Sequence, residues 1–206
     1  MYIHVFYNHK KAKQTTIMKR ITLLASALVL AATAFSQTWS ADKAHSRLGF
    51  GVTHLTISEI DGSFKSFDSK IASSKDDFSD AVIELSADVN SINTDNEQRD
   101  NHLKSPDFFD AAKFSTLSFK STSFKKAGNN QYKLAGDLTL HGVTKPVVLD
   151  VVLNGTTTNS MSKKTVAGFK ITGVIKRSDF GIATSFPTAV VSDEVYLAAN
   201  TEFVKG

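Results

Sequence analysis

From Trp39 onward, apolar and polar residues alternate with a period of two, the pattern of strands that bury one face. Leu48, Phe50 and Val52 alternate with Arg47, Gly49, Gly51 and Thr53, and a looser second strand is expected from Phe64 to Ile71, after a turn at Asp61-Gly62. Ile83, Leu85, Ala87 and Val89 repeat the pattern, followed by Leu117 and Phe119. Tyr132, Leu134, Gly136, Leu138 and Leu140 come next, after a hairpin turn at Gly128-Asn129-Asn130. Val147 to Leu153, a long strand from Val166 to Arg177, and Val195 to Phe203 bring the count to about eight strands. One segment breaks the alternation: Asn93 to Ser105 is polar and poor in β-branched residues. It predicts a short helix capped at Asn93-Thr94-Asp95, with Glu97 three residues after Thr94, and stopped by Pro106.

An up-and-down barrel, a two-sheet sandwich and a jelly roll would all accommodate such a series. Strands of about 10 residues span roughly 33 Å, and about eight of them close around an interior wide enough for one elongated ligand. The expected fold is therefore all-β: an eight-stranded antiparallel barrel with one short helix.

The residues before this series have a different character. Ile21 to Ala32 is an apolar run preceded by Lys19-Arg20 and followed by the small-residue pattern Ala34-Phe35-Ser36. It is too short for the roughly 20 residues that span a bilayer, and it has the layout of a signal peptide. Met18 is the expected start, which leaves Met1 to Ile17 an upstream in-frame extension, the alternative being a long n-region that begins at Met1; cleavage is expected after Ser36. The mature domain is then 37–206, exported to the periplasm or secreted, with no transmembrane segment.

Removing the leader changes the charge argument. Five of the 24 basic residues lie in it (Lys10, Lys11, Lys13, Lys19, Arg20) and none of the 20 acidic ones, so the mature chain carries 19 basic against 20 acidic residues. A near-neutral domain has no electrostatic footprint for nucleic acid. The chain has no cysteine, so the fold must be held by its core and its backbone hydrogen bonds. About 170 residues suffice for that, since a domain of this size buries roughly 70% of its unfolded surface.

No catalytic constellation is visible. His45, His54, His102 and His141 are scattered, without the spacing of a zinc site and without a Gly-x-Ser-x-Gly elbow. The expectation is a non-enzyme with no metal and no cofactor. Three polar clusters are candidates for ligand contact. Asp42-x-x-His45-Ser46, with His54 nine residues after His45, reads either as a local turn or as a polar rim. Arg99-Asp100-x-His102-Leu103, followed by Pro106-Asp107-Phe108-Phe109, puts a cation, a titratable donor and an apolar contact on one helical turn, beside two phenylalanines placed to plug a barrel mouth. Lys176-Arg177-Ser178-Asp179-Phe180-Gly181 ends a strand in charges and reads either as a rim ion pair or as a binding loop.

The order and spacing of these motifs resemble the YceI-like family across nearly all of the mature chain. The resemblance rests on Trp39, Asp42-x-x-His45-Ser46, Phe50-x-Val52-x-His54-Leu55, Gly62-x-Phe64, Arg99-Asp100-x-His102-Leu103 and Phe108-Phe109. It continues through Gly136-x-Leu138-Thr139-Leu140-x-Gly142-Val143-Thr144-Lys145-Pro146-Val147 and Arg177-x-Asp179-Phe180-Gly181. It implies an elongated lipocalin-like barrel in the periplasm whose apolar tunnel holds the tail of a polyisoprenoid or isoprenoid quinone. The expected ligand contacts are His45, Phe50, His54, Arg99, His102, Phe108, Phe109, His141, Arg177 and Phe180. Two other classes stay open beside lipid carriage: a stress-response or interaction barrel without cargo, and an enzyme on a small apolar substrate with His102 or His141 as base. A homodimer is expected on the frequency of two-fold association alone.

Overall fold

The computed structural model describes residues 36–206; residues 1–35, and with them the expected leader and start, lie outside the described residues. Eleven strand segments follow in chain order: β1 (Gln37–Ala41), β2 (Arg47–His54), β3 (Ser58–Phe64), β4 (Phe67–Ser73), β5 (Val82–Asp88), β6 (Ile92–Asn93), β7 (Thr116–Gly128), β8 (Gln131–Leu140), β9 (Val143–Thr158), β10 (Thr165–Lys176) and β11 (Val191–Lys205). One helix, α1 (Glu97–Leu103), stands between β6 and β7.

These eleven segments are eight long strands, because the first three are each broken once. β1 and β2 lie end to end along β11, with Trp39 opposite Lys205 and Leu48 opposite Ala199. β3 and β4 lie along that first strand, pairing Phe64 with Leu48 and Ile71 with Trp39. β5 and β6 lie along the second, pairing Ile83 with Ile71 and Ile92 with Phe64. From β7 onward each strand pairs antiparallel with the next as far as β11, which closes the ring on β1 and β2. The result is a closed eight-stranded antiparallel barrel, the fold class the alternation predicts. Its ring closes within Gln37–Lys205, which makes Gln37–Gly206 a unit complete in its own pairing.

The three breaks lie side by side. Short 3-10 turns at Lys43–His45 and Val89–Ser91, capped by the side chains of Asp42 and Asp88, interrupt the first and third strands. Amides freed there find partners across the gap: Ser66 N donates to Ser91 Oγ at 2.9 Å, Lys65 N to Ser91 O at 3.1 Å, and Asp42 N to Glu202 O at 2.7 Å. Interruptions of this kind bend a wall without abandoning its hydrogen bonds.

Two local expectations are corrected. Asp61-Gly62 is not a turn but part of β3; the chain reverses instead at 55–57, where Ile57 N donates to His54 O at 3.2 Å. Gly62 has a packing reason: a Cβ there would lie 2.2 Å from Cζ of Phe50, its cross-strand partner. The helix is shorter than 93–105 and its cap is Asn96, whose side chain accepts from Arg99 N. Thr94 is buried and bonded to Asp100 instead, with Thr94 N and Oγ1 both donating to Asp100 Oδ1, at 2.8 and 2.6 Å.

The two ends of the barrel are built differently. At the end holding the turns 74–81, 129–130 and 159–164, aromatic rings stack into a plug. Phe78 is 1% exposed, with its ring centroid 5.1 Å from both Trp39 and Phe169, and Phe203 lies 5.8 Å beyond Phe169. At the other end, α1, residues 104–115 and the connection 177–190 cover the ring. Arg177 organises that connection. It is 5% exposed, and its Nε, Nη1 and Nη2 donate to the carbonyls of Ser192, Ile182, Ala183, Phe186 and Val191, which occupies all five N–H groups of the guanidinium. Replacing Arg177 by Met leaves five carbonyls short of a donor. It should lower unfolding stability in urea by about 3 kcal/mol or more; a loss of less than about 1 kcal/mol would show that the loop does not depend on this hub.

Candidate functional site

The inner faces of the strands enclose a tunnel running from Phe109, Ile182 and Val195 under the α1 end to Phe169 and Phe203 at the aromatic plug. Of its thirty lining residues, only Ser69 and Thr201 carry a polar side-chain atom. The Ser69 hydroxyl donates to Glu84 O at 2.9 Å, whereas Thr201 Oγ1 is buried without a partner. The cavity volume is about 190 Å³. That is far above the roughly 10–15 Å³ a single water needs, yet a wall with almost no hydrogen-bonding atoms gives water little to bind.

Glycines explain why large lining side chains leave this space empty. Phe50, Phe119 and Leu149 each lie back against the wall over a glycine: a Cβ at Gly62, Gly136 or Gly173 would come within 2.2, 2.3 or 2.4 Å of Phe50 Cζ, Phe119 Cζ or Leu149 Cδ2 respectively. Where a strand lacks a Cβ, the ring next to it covers the backbone instead of projecting to the axis. The plugged end is lined by fully buried residues, among them Ile71, Val151, Phe169 and Phe203. At the α1 end Phe50, Phe109 and Val195 are only half-buried, as are Leu85, Ile171 and Leu197 further along the tunnel and Ile83 beside Ile71.

Among the ten residues the sequence points to, Phe50 and Phe109 line the tunnel, in an aromatic chain with Phe64: centroids are 5.7 Å apart for Phe50–Phe64 and 6.0 Å for Phe64–Phe109. His102 and Phe108 belong to the cover over the same end, their rings 4.9 Å apart, with Phe186 5.0 Å beyond Phe108. Arg99 is half-buried beside them and gives Nε to Thr94 Oγ1 and Nη2 to Thr94 O, both at 2.7 Å. His54 ends β2 at this end, half-buried.

Arg177, Phe180 and His141 form a support rather than a wall. Phe180 is 1% exposed, its carbonyl accepts from His141 Nδ1 at 3.0 Å, and the His141 ring packs 4.8 Å from Phe114. His45 lies away from the tunnel, exposed at the break between β1 and β2. The lining Leu, Ile and Val residues were visible as the apolar phase of each strand; the glycine positions that clear the axis were not, because a glycine in a strand carries no sign of which ring will lie over it.

With Asp42 and Glu202, His45 makes the one group of three metal-capable side chains found among the described residues. Its Nδ1–H donates to Asp42 Oδ2 at 2.9 Å. That bond, with the charges of Asp42 and Glu202, raises the His45 pKa above its ordinary 6.5; the same bond, with the Ala44 amide and the charge of His45, lowers that of Asp42 below 3.8. His45's share of the pair's support for folding is therefore fully present below the unfolded histidine value and lost as pH rises through its raised folded value. Asp42's share is present above its unfolded value and lost as pH falls through the lowered one. An NMR titration should place the His45 midpoint above 6.5, and Asp42→Asn should bring it down; an unchanged midpoint in that variant would refute the pairing.

A closed antiparallel barrel around an apolar tunnel is an architecture suited to an elongated apolar ligand. The chain belongs to the YceI-like family: the model of the YceI-like domain matches residues 39–203. A UPF0312 protein of Staphylococcus aureus is 38% identical over 162 residues, which cover 79% of this chain and 91% of that protein. The Campylobacter jejuni YCEI protein, 36% identical, superposes with a TM-score of 0.68 over 75% of this chain and 90% of its own. A polyisoprenoid-binding domain from Saccharophagus degradans, 16% identical, shares the fold with a TM-score of 0.58 over 82% of this chain and 98% of that domain. No helix among the described residues is long and apolar enough to cross a membrane.

Proposed function

We propose that this protein binds one long-chain isoprenoid lipid, a polyprenyl chain or the tail of an isoprenoid quinone, and carries or stores it in the periplasm or outside the cell. The observation that carries the reading is the tunnel: thirty lining residues with two hydroxyls among them, plugged by aromatics at one end and covered by α1 and the 177–190 connection at the other. Burial of a tail of about 40 carbons at roughly 0.3 kcal/mol per heavy atom would supply on the order of 12 kcal/mol, a nanomolar affinity. Membership of the YceI-like family and the polyisoprenoid-binding neighbour support this cargo, and the apolar run behind Lys19-Arg20 supports export.

The head group would rest at the α1 end, where His54, Arg99 and His102 stand and where Arg99 has Nη1 without a hydrogen bond among the described residues. Arg177 has no donor left to offer. Binding rather than turnover is the function proposed, because no nucleophile and base are brought together on the tunnel wall.

Native mass spectrometry of Gln37–Gly206 recovered from a bacterial periplasm, with identification of released lipid, should show one isoprenoid per chain. Ala199→Phe, which puts a ring midway along the tunnel, should abolish that mass while the barrel stays folded by circular dichroism. Wild-type protein that is folded, empty and unable to load added polyprenol would end this reading in favour of an interaction barrel without cargo.

A further inference from the structure

We propose that the hairpin tip joining β2 to β3 is a membrane-docking finger, which seats the α1 end of the barrel on a neutral bilayer surface. The proposal rests on the lipid-binding reading for its purpose, but its evidence is separate. Leu55 is 49% exposed and Ile57 85%, two large apolar side chains on one three-residue reversal. Such a pair has no folding role at the tip, since neither lines the tunnel nor packs in the core.

The backbone makes the placement more pointed. Leu55 and Thr56 have φ of 51° and 62°, and the bond from Ile57 N to His54 O closes a two-residue turn with both central residues left-handed. A turn of this type is ordinarily made by Asn-Gly or Asp-Gly, and a β-branched residue at positive φ is an outlier. Leu55 is thus held in a backbone that Asn or Gly would adopt more easily, at the turn that leaves Leu55 and Ile57 exposed. Strain retained at an exposed position points to function.

Position and charge select the occupant. The tip stands at the α1 end of the barrel, where Leu55 N bonds to Val190 O of the cover, so seating it would bring the covered end of the tunnel, opposite the aromatic plug, to the surface that holds isoprenoid lipids. Residues 54–58 contain no Asp, Glu, Lys or Arg, while Glu59 and Asp61 flank the tip further down β3. An apolar tip whose nearest charges along the chain are Glu59 and Asp61 has no attraction of its own for anionic head groups and suits a zwitterionic surface, into which leucine and isoleucine partition favourably.

Flotation of Gln37–Gly206 with phosphatidylcholine vesicles tests this directly. Wild type should float with the vesicles, and Leu55→Ser/Ile57→Ser should reduce the bound fraction at least tenfold while leaving uptake of detergent-dispersed polyprenol unchanged. As a second variant, Ile57→Trp should bind at least as well as wild type and shift its emission to the blue on vesicle addition. Failure of wild type to float, binding that appears only with anionic lipid, or equal flotation of the serine variant would each overturn the proposal. Tip-dependent flotation by a barrel that takes up no polyprenol would leave the finger standing and remove the cargo reading alone.

Discussion

The pairing of β11 on both of its edges is the constraint from which the rest of the molecule follows. One edge runs along β10 from Val166–Val204 to Lys176–Glu194; the other is shared between β1 and β2. With that seam made, the ring has no long free edge, its diameter is fixed by eight strands, and the apolar phase of every strand is committed to the interior. The three adjacent breaks lie in the strands next to this seam, where 3-10 turns and serine hydroxyls take up the amides that a continuous ladder would have used. The seam thus sets both the closure and the place where the wall can bend.

Closure alone would not give a tunnel, because eight strands enclose about as much space as their own side chains can fill. What keeps the axis clear is the pairing of bulky residues with glycines: Phe50 over Gly62, Phe119 over Gly136, Leu149 over Gly173. The plug of Trp39, Phe78, Phe169 and Phe203 then makes the tunnel one-ended, and the Arg177 hub holds the cover at the other end in one shape. A one-ended apolar tube can take up a long chain only by its tip, leaving any head group among the polar residues at the opening. Fold, emptiness and orientation of a ligand are in this way consequences of a few local packings.

Much of this was legible in the sequence. Leu138, Ile171 and Leu197 announce an inner face by alternation, Gly128-Asn129-Asn130 marks its hairpin, and the order of motifs points to the family. Less legible were features decided by contacts distant in the chain. Asp61-Gly62 looks like a turn, and only the ring of Phe50 across the strand pair explains why glycine is needed inside β3. Leu55-Thr56 does not look like a turn and is one. Arg177 reads as a surface charge beside Asp179, whereas five carbonyls from 182 to 192 enclose it, and nothing local in the sequence signals that burial. Thr94 was a plausible cap until Asp100 claimed its amide and hydroxyl.

The central claim is that the tunnel is a container for an extended apolar chain, and affinity as a function of chain length tests it most directly. Calorimetric titration of Gln37–Gly206 with a series of polyprenols should show binding tighten with each added isoprene unit until the tail reaches the aromatic plug, and then level off. Affinity that is independent of chain length from the shortest polyprenol onward would place the binding energy outside the tunnel and contradict the account.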